Sequence, residues 1–258
     1  MIEVPLFPLH AVLCPGVPMP LHVFEPRYRA LVRQCLADNT PFGVILIREG
    51  REVGPGSLAV AEIGTFAEIR QATRYEDGRF DVTANGTGRF RLIRVIVGRD
   101  PFLVGVVEPL DDELGDPATA RALSVAATHR FIRYLELLQP GDGESAAEPP
   151  IRAEIDLHIT AEPSSAPAAE TFGPDAAAET VEISSADLTI PDEPTALSYL
   201  LTAIVELDLP RRQALLEAAT TELRLGALAA VLDREIDLLG RRLRIFSPEP
   251  RVPAVRRN

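Results

Sequence analysis

The sequence predicts an α+β protein: a small mixed β-barrel carrying one inserted helix, followed by a small α-helical subdomain. Three observations carry that expectation. Over residues 1–112, short apolar or alternating runs are separated by turn-forming clusters, the pattern of strands rather than helices. Within that stretch the spacing switches once, at Glu25-Pro26, to the three-and-four step of a helix. From Asp116-Pro117 onward helical spacing returns, with an interruption at 140–194. The expected division is a barrel over 1–112, a helical subdomain over 113–240 broken by an acidic low-complexity insertion at 140–194, and a basic, frayed tail over 241–258.

Taken in order, Pro15 to Leu21 reads as a rigid, proline-framed loop around a Pro-Gly turn. From Pro26 the apolar residues Tyr28, Leu31, Val32, Cys35 and Leu36 fall on one helical face, so Tyr28, Leu31 and Leu36 are expected against the barrel, opposite Phe42, Val44 and Leu46. Proline suits the first helical turn and Glu25 the positive end of the helix, and Asp38-Asn39-Thr40-Pro41 stops it. Phe42 to Ile47 is a buried-strand run, while Phe66 to Ala72 and Phe80 to Ala84 alternate as half-buried strands do. Glu76-Asp77-Gly78-Arg79 supplies a tight hairpin turn in which Asp77 and Gly78 both take positive φ. Phe90 to Val97 and Phe102 to Val107 complete about six strands, enough for a small barrel.

The second half reads as helices. One runs to about Leu138 with Phe131, Tyr134, Leu135 and Leu138 on its apolar face. Residues 140–194, rich in Pro, Ala, Ser and Glu, have too few apolar groups to offset the entropy of ordering and are expected to be disordered. Two patches there, at 155–159 and 181–183, nonetheless alternate like strands. Helical spacing resumes at Thr195 with Leu200, Leu201, Ile204 and Val205, breaks at Leu209-Pro210, and ends in a helix whose seam is Leu225, Leu228, Leu232, Ile236 and Leu239.

Charge and composition exclude several functions. The net charge of −12 resides in 140–194, which hold 13 acids and only Arg152, so the remainder is balanced. A balanced body argues against a broad nucleic-acid footprint. No run approaches a membrane span, no secretory signal is visible, and Cys14 and Cys35 suit a reducing compartment, so a cytoplasmic protein is expected. His10, His22, His129 and His158 show no metal-ligand spacing with the cysteines, and neither a metal nor another cofactor is expected. Asn85-Gly86-Thr87-Gly88 lacks the third glycine of a nucleotide loop and reads as a strand bulge. Arg89, Arg91 and Arg94 read as solvated strand faces, and Asp111-Asp112-Glu113 as solvated surface.

The stretch PLFPLHAVLCPGVPMPLHVFEPRYRALVRQCL, from Pro5 to Leu36, resembles the opening of the amino-terminal, substrate-binding domain of the Lon protease family. The likeness continues through Phe42 to Ile47, Ile63-Gly64-Thr65, and Asp77-Gly78-Arg79 to Gly88-Arg89-Phe90, and returns over 195–240 around Leu209 to Glu217. The resemblance implies a PUA-like barrel and a helical subdomain. A complete Lon protease adds an ATPase with a phosphate-loop lysine and a Ser-Lys protease, yet all 26 basic residues here are arginine. Arginine does not give up its proton to serve as a base. The resemblance therefore implies a stand-alone, non-catalytic module that recognises polypeptide substrates, or an adaptor to a separate protease; RNA binding by the PUA-like barrel is the alternative.

Two groups of residues stand out as candidates. Pro18, Met19, Leu21 and Phe24 would offer an apolar peptide surface next to a rigid turn, although prolines also serve simply to guard strand edges. Glu25, Arg27, Tyr28 and Arg89 form a structural motif in which Glu25 pairs with Arg89 or Arg27 to fix the helix on the barrel.

Overall fold

The computed structural model describes residues 1–49, 59–138 and 190–246. In chain order the elements are β1 (Ile2–Leu9), β2 (Pro18–Val23), α1 (Pro26–Asp38), β3 (Phe42–Glu49), β4 (Ala59–Val60), β5 (Ile63–Arg74), β6 (Phe80–Ile96), β7 (Leu103–Leu110), α2 (Pro117–Leu138), α3 (Pro194–Ile204), α4 (Leu209–Glu217) and α5 (Thr221–Phe246). The fold is α+β. Seven strands form one mixed sheet in the order β1-β7-β6-β5-β3-β4, with β2 added on β6. Strand β3 also pairs back to β1 in parallel register, Phe7 opposite Val44, so the strands form a ring. The other pairings are antiparallel.

Helix α1 supplies the crossover that a parallel pair needs. It starts at Pro26 and ends on Asn39, which takes the left-handed conformation (φ 51°) and donates its N–H to the Cys35 carbonyl. Tyr28, Leu31, Val32 and Cys35 are buried, and Tyr28 stacks on Phe7 at 4.0 Å between ring centroids. Phe42 and Val44 share this cluster with Phe80, Val82 and Val104. Two expectations fail here. Leu36 lies at the edge of the helical face and is 44% exposed, and Leu46, though buried, joins Ile45 in the second cluster with Val4, Leu6, Phe66 and Phe90.

The Pro-rich segment is more regular than its composition suggests. Residues 18–23 are strand, not loop, in register with β6 from Pro18 opposite Asn85 to Val23 opposite Phe80. The β5–β6 turn also differs. Gly78 takes φ 84°, and the only non-glycine residue with positive φ among those described is Asn39, so Asp77 is not left-handed. Gly78 N–H donates to the Tyr75 carbonyl (2.9 Å) and Tyr75 N–H to that of Arg79 (3.0 Å), a three-residue loop with one left-handed glycine. Opposite Thr65–Ala67, β6 carries an extra residue between Gly86 and Arg89. Gly86 is needed at this bulge because a Cβ there would lie 2.2 Å from the Cys14 carbonyl oxygen.

The helices pack on a third cluster that includes Phe131, Tyr134, Leu197, Leu201, Leu215, Leu225, Leu228 and Leu232. The α5 seam is buried or half-buried as its spacing predicts, whereas Leu138 at the end of α2 is exposed. Glu193 caps α3 by accepting from the N–H groups of Thr195 and Ala196, and Asp208 caps α4 through the N–H of Arg211. Ile190, within the stretch expected to be disordered, packs on the helices. Helix α5 runs past Arg241 to Phe246. The patches at 155–159 and 181–183, the stretch 140–189 expected to be disordered and the tail from 247 lie outside the described residues.

Candidate functional site

Alternation along β2 sorts its residues into two sets. Met19 and Leu21 are half-buried against the first core cluster and Val23 is buried, while Pro20 and His22 point to solvent with half-buried Pro18. The sequence reading offered Met19 and Leu21 as exposed contacts; in the structure they divide their surface between core and solvent. Phe24, in the link to α1, is 60% exposed. Pro18 and Pro20 lack the N–H groups that an added strand would need, so this edge discourages main-chain pairing.

Beside Phe24 lies a cluster that no sequence spacing announced. The β2–β6 register sets His22 opposite Asp81, and the imidazole Nδ1–H donates to Asp81 Oδ1 at 2.6 Å. Tyr75, on the β5–β6 turn and 41% exposed, donates its hydroxyl to the other carboxylate oxygen. Because an ionised carboxylate only accepts, the imidazole proton is assigned to Nδ1, leaving Nε2 to accept from Arg79 Nη1 at 3.4 Å. Burial raises the Asp81 carboxyl, but the hydrogen bonds from Tyr75 and His22, with the charge of Arg79, outweigh it and hold the group below its ordinary range. The Tyr75 phenol is raised in turn, chiefly by its hydrogen bond to Asp81. The His22 ring lies 6.3 Å from those of both Phe24 and Tyr75, and the Arg79 guanidinium sits 5.5 Å over the Tyr75 ring. Arg79 also pairs with Asp77 at 2.7 Å, and Arg29 of α1 donates to the Asp77 carbonyl at 2.9 Å, holding the turn against the helix.

Of the two pairings offered for Glu25, the structure shows the one with Arg27. Glu25 accepts from Arg27 Nε at 2.9 Å, and Tyr28 lies beneath the Arg27 guanidinium. Arg89 does not join them. It is 3% exposed, so its reading as a solvated strand face is wrong, although Arg91 and Arg94 are exposed. Its Nη1 donates to the carbonyls of Leu216 (2.9 Å) and Ala218 (2.8 Å) at the end of α4, and Nη2 pairs with Asp112 at 2.8 Å. The last carbonyls of a helix have no partners within it, and a cation there also meets the negative end of the dipole. Asp112, expected to be mere solvated surface, also accepts from the Tyr199 hydroxyl and lies 3.8 Å from Arg224. Arg224 is fully buried, stacks 3.9 Å above the Tyr199 ring and donates to the Leu215 carbonyl and Ser198 Oγ. Burial raises the Tyr199 phenol against the opposing charge of Arg224. This hub joins sheet to helices and is structural.

Among the described residues no group of three or more His, Cys, Asp or Glu side chains is placed to hold a metal ion. No helix among them is long and apolar enough to cross a membrane.

A ringed mixed sheet with a crossover helix is thus clamped to a helical bundle through the buried arginines Arg89 and Arg224. The family model described as the ATP-dependent protease La (LON) substrate-binding domain matches residues 3–234. The chain belongs to the LON substrate-binding domain family. Lon protease 2 of Myxococcus xanthus is 24% identical over 237 residues, covering 91% of this chain and 24% of that protein. The Lon protease of Anaeromyxobacter dehalogenans is 25% identical over 136 residues, 52% of this chain and 16% of the relative. The chain thus spans about a quarter or less of these relatives. Among solved structures, a Lon N-terminal domain protein from Xanthomonas campestris aligns with a TM-score of 0.55 at 24% identity, covering 89% of this chain and 98% of that one. The N-terminal domain of the Mycobacterium avium complex Lon protease aligns at 0.51 and 15% identity, covering 92% and 98%. These likenesses establish the fold.

Proposed function

We propose that this chain is a non-catalytic polypeptide-recognition module of the cytoplasm, which takes unfolded or apolar segments and presents them to a separate protease as an adaptor. Its contacts fall on Pro18, Met19, Leu21 and Phe24. The observation that carries this reading is Phe24, a large apolar side chain 60% exposed on the short link between β2 and α1 in a family described by substrate binding. An exposed large apolar group beside others is a ready contact for an apolar peptide segment. RNA is disfavoured, since Arg89 is withdrawn from the surface and the body is charge-balanced.

The test is fluorescence anisotropy with a labelled, permanently unfolded polypeptide, such as reduced and carboxymethylated α-lactalbumin, without ATP. Phe24→Ser is expected to weaken binding at an unchanged unfolding midpoint, with affinity altered little between low and moderate salt. Steep loss of affinity with salt, together with tight binding of an RNA oligonucleotide, would install the nucleic-acid alternative instead.

A further inference from the structure

We infer that His22, Phe24 and Tyr75 form the recognition unit of this surface, that Asp81 is its positioning residue, and that the unit takes an aromatic or aliphatic side chain of an unstructured polypeptide. The inference rests on the polypeptide-binding reading above. The three rings come from β2, the β2–α1 link and the β5–β6 turn, and His22 lies 6.3 Å from each of the other two. Phe24 and Tyr75 are exposed together; contiguous exposed apolar groups mark interaction sites more often than isolated ones do. One carboxylate holds two of the rings, accepting from His22 Nδ1–H on one oxygen and from the Tyr75 hydroxyl on the other. Rings fixed before binding lose less rotamer freedom when a ligand arrives.

The occupant follows from charge. Arg79 pairs with Asp77 and Arg27 with Glu25, and Asp81 accepts from both His22 and Tyr75, so the charged groups bordering the rings are already engaged within the protein. A charged ligand side chain would compete with those pairs, whereas an uncharged apolar one leaves them intact. Pro18 and Pro20 weigh against main-chain addition to β2, leaving side-chain capture as the mode. The groups facing His22 are Asp81 of β6, Arg79 and Tyr75 of the turn, and Phe24 of the link.

The experiment uses the full chain and the same labelled unfolded polypeptide. Asp81→Ala removes both acceptor oxygens, and is expected to weaken binding about five- to tenfold, the effect of releasing one or two held side chains. Tyr75→Phe keeps the ring but drops its tie to Asp81, and is expected to weaken binding about threefold. Asp81→Glu should restore most of the affinity. Nitrogen-15 spectra, with the His22 signals assigned through His22→Gln, should show the Nδ1–H tautomer in the wild type and its loss in Asp81→Ala. A folded Asp81→Ala that has lost the tautomer yet binds as tightly as wild type overturns the inference and leaves polypeptide recognition standing. Should Asp81→Ala fail to fold, Tyr75→Phe decides, and undiminished binding by it overturns the inference. If the wild type does not bind the probe, the inference falls together with the reading it rests on.

Discussion

Replacing Arg89 by methionine keeps a long apolar stem but deletes the guanidinium that clamps the sheet to the end of α4. Two carbonyls, of Leu216 and Ala218, lose donors at 2.9 and 2.8 Å, Ala218 keeping only a longer bond from Arg224 Nη2 at 3.5 Å, and Asp112 loses its closest cation. A buried acceptor left without a donor costs about 1–3 kcal/mol. Asp112 keeps the Tyr199 hydroxyl and a more distant Arg224, and its side chain is 26% exposed, so its own penalty is smaller. The sum is about 3–5 kcal/mol, the range for breaking a buried pair from one side, against a total stability of about 5–15 kcal/mol. Urea denaturation followed by far-ultraviolet circular dichroism reads this directly: with a slope of about 2 kcal/mol per molar, the midpoint falls by about 2 M. A double-mutant cycle with Asp112→Asn should then give a clear coupling energy. If Arg89→Met shifts stability by less than about 0.5 kcal/mol, as a surface change does, the guanidinium is hydrated in solution and the clamp is not formed.

Leu31, fully buried between α1 and the sheet, should cost about 2–5 kcal/mol on replacement by alanine, read as a lower denaturant midpoint. Both thiols should resist alkylation at pH 8 until the chain unfolds, because burial pushes Cys14 up to about 12 and Cys35 up to about 11. Since an unfolded thiol ionises near about 8.5, the folded state holds more protons above that value. The stability contributed by these groups is fully present below it and is lost as pH rises through about 11 to 12; an unfolding midpoint flat between pH 8 and 10.5 would contradict this.

Local pattern revealed what local forces determine. The helix face of Tyr28, Leu31, Val32 and Cys35, the α5 seam and the bulge at Gly86 all follow from spacing or from a glycine that nothing larger can replace. Leu36 was misplaced because it sits a further step round the helix, where the sheet no longer covers it. Arg89 misled because its partners on α4 lie far down the chain, and an arginine in a strand beside Arg91 looks solvated until that helix is in place. The ring cluster was hidden for the same reason: His22 meets Asp81 only once β2 is in register with β6. Its one visible trace was alternation from Met19 and Leu21, which sends His22 to the outer face.

The placement of β1 between β3 and β7 bears on how the chain acquires its structure. Leu6 finds Gly43 after one helix has been made, but Val4 must wait for Gly105. At a synthesis rate of about 5–20 residues per second, roughly 100 intervening residues correspond to some 5–20 seconds during which one edge of β1 stays open. Pairings of such sequence separation slow folding, because the loop must close before its contacts stabilise anything. Pro5 and Pro8 lie within that waiting strand, and their missing N–H groups make it a poorer template for another chain while the ring is still incomplete.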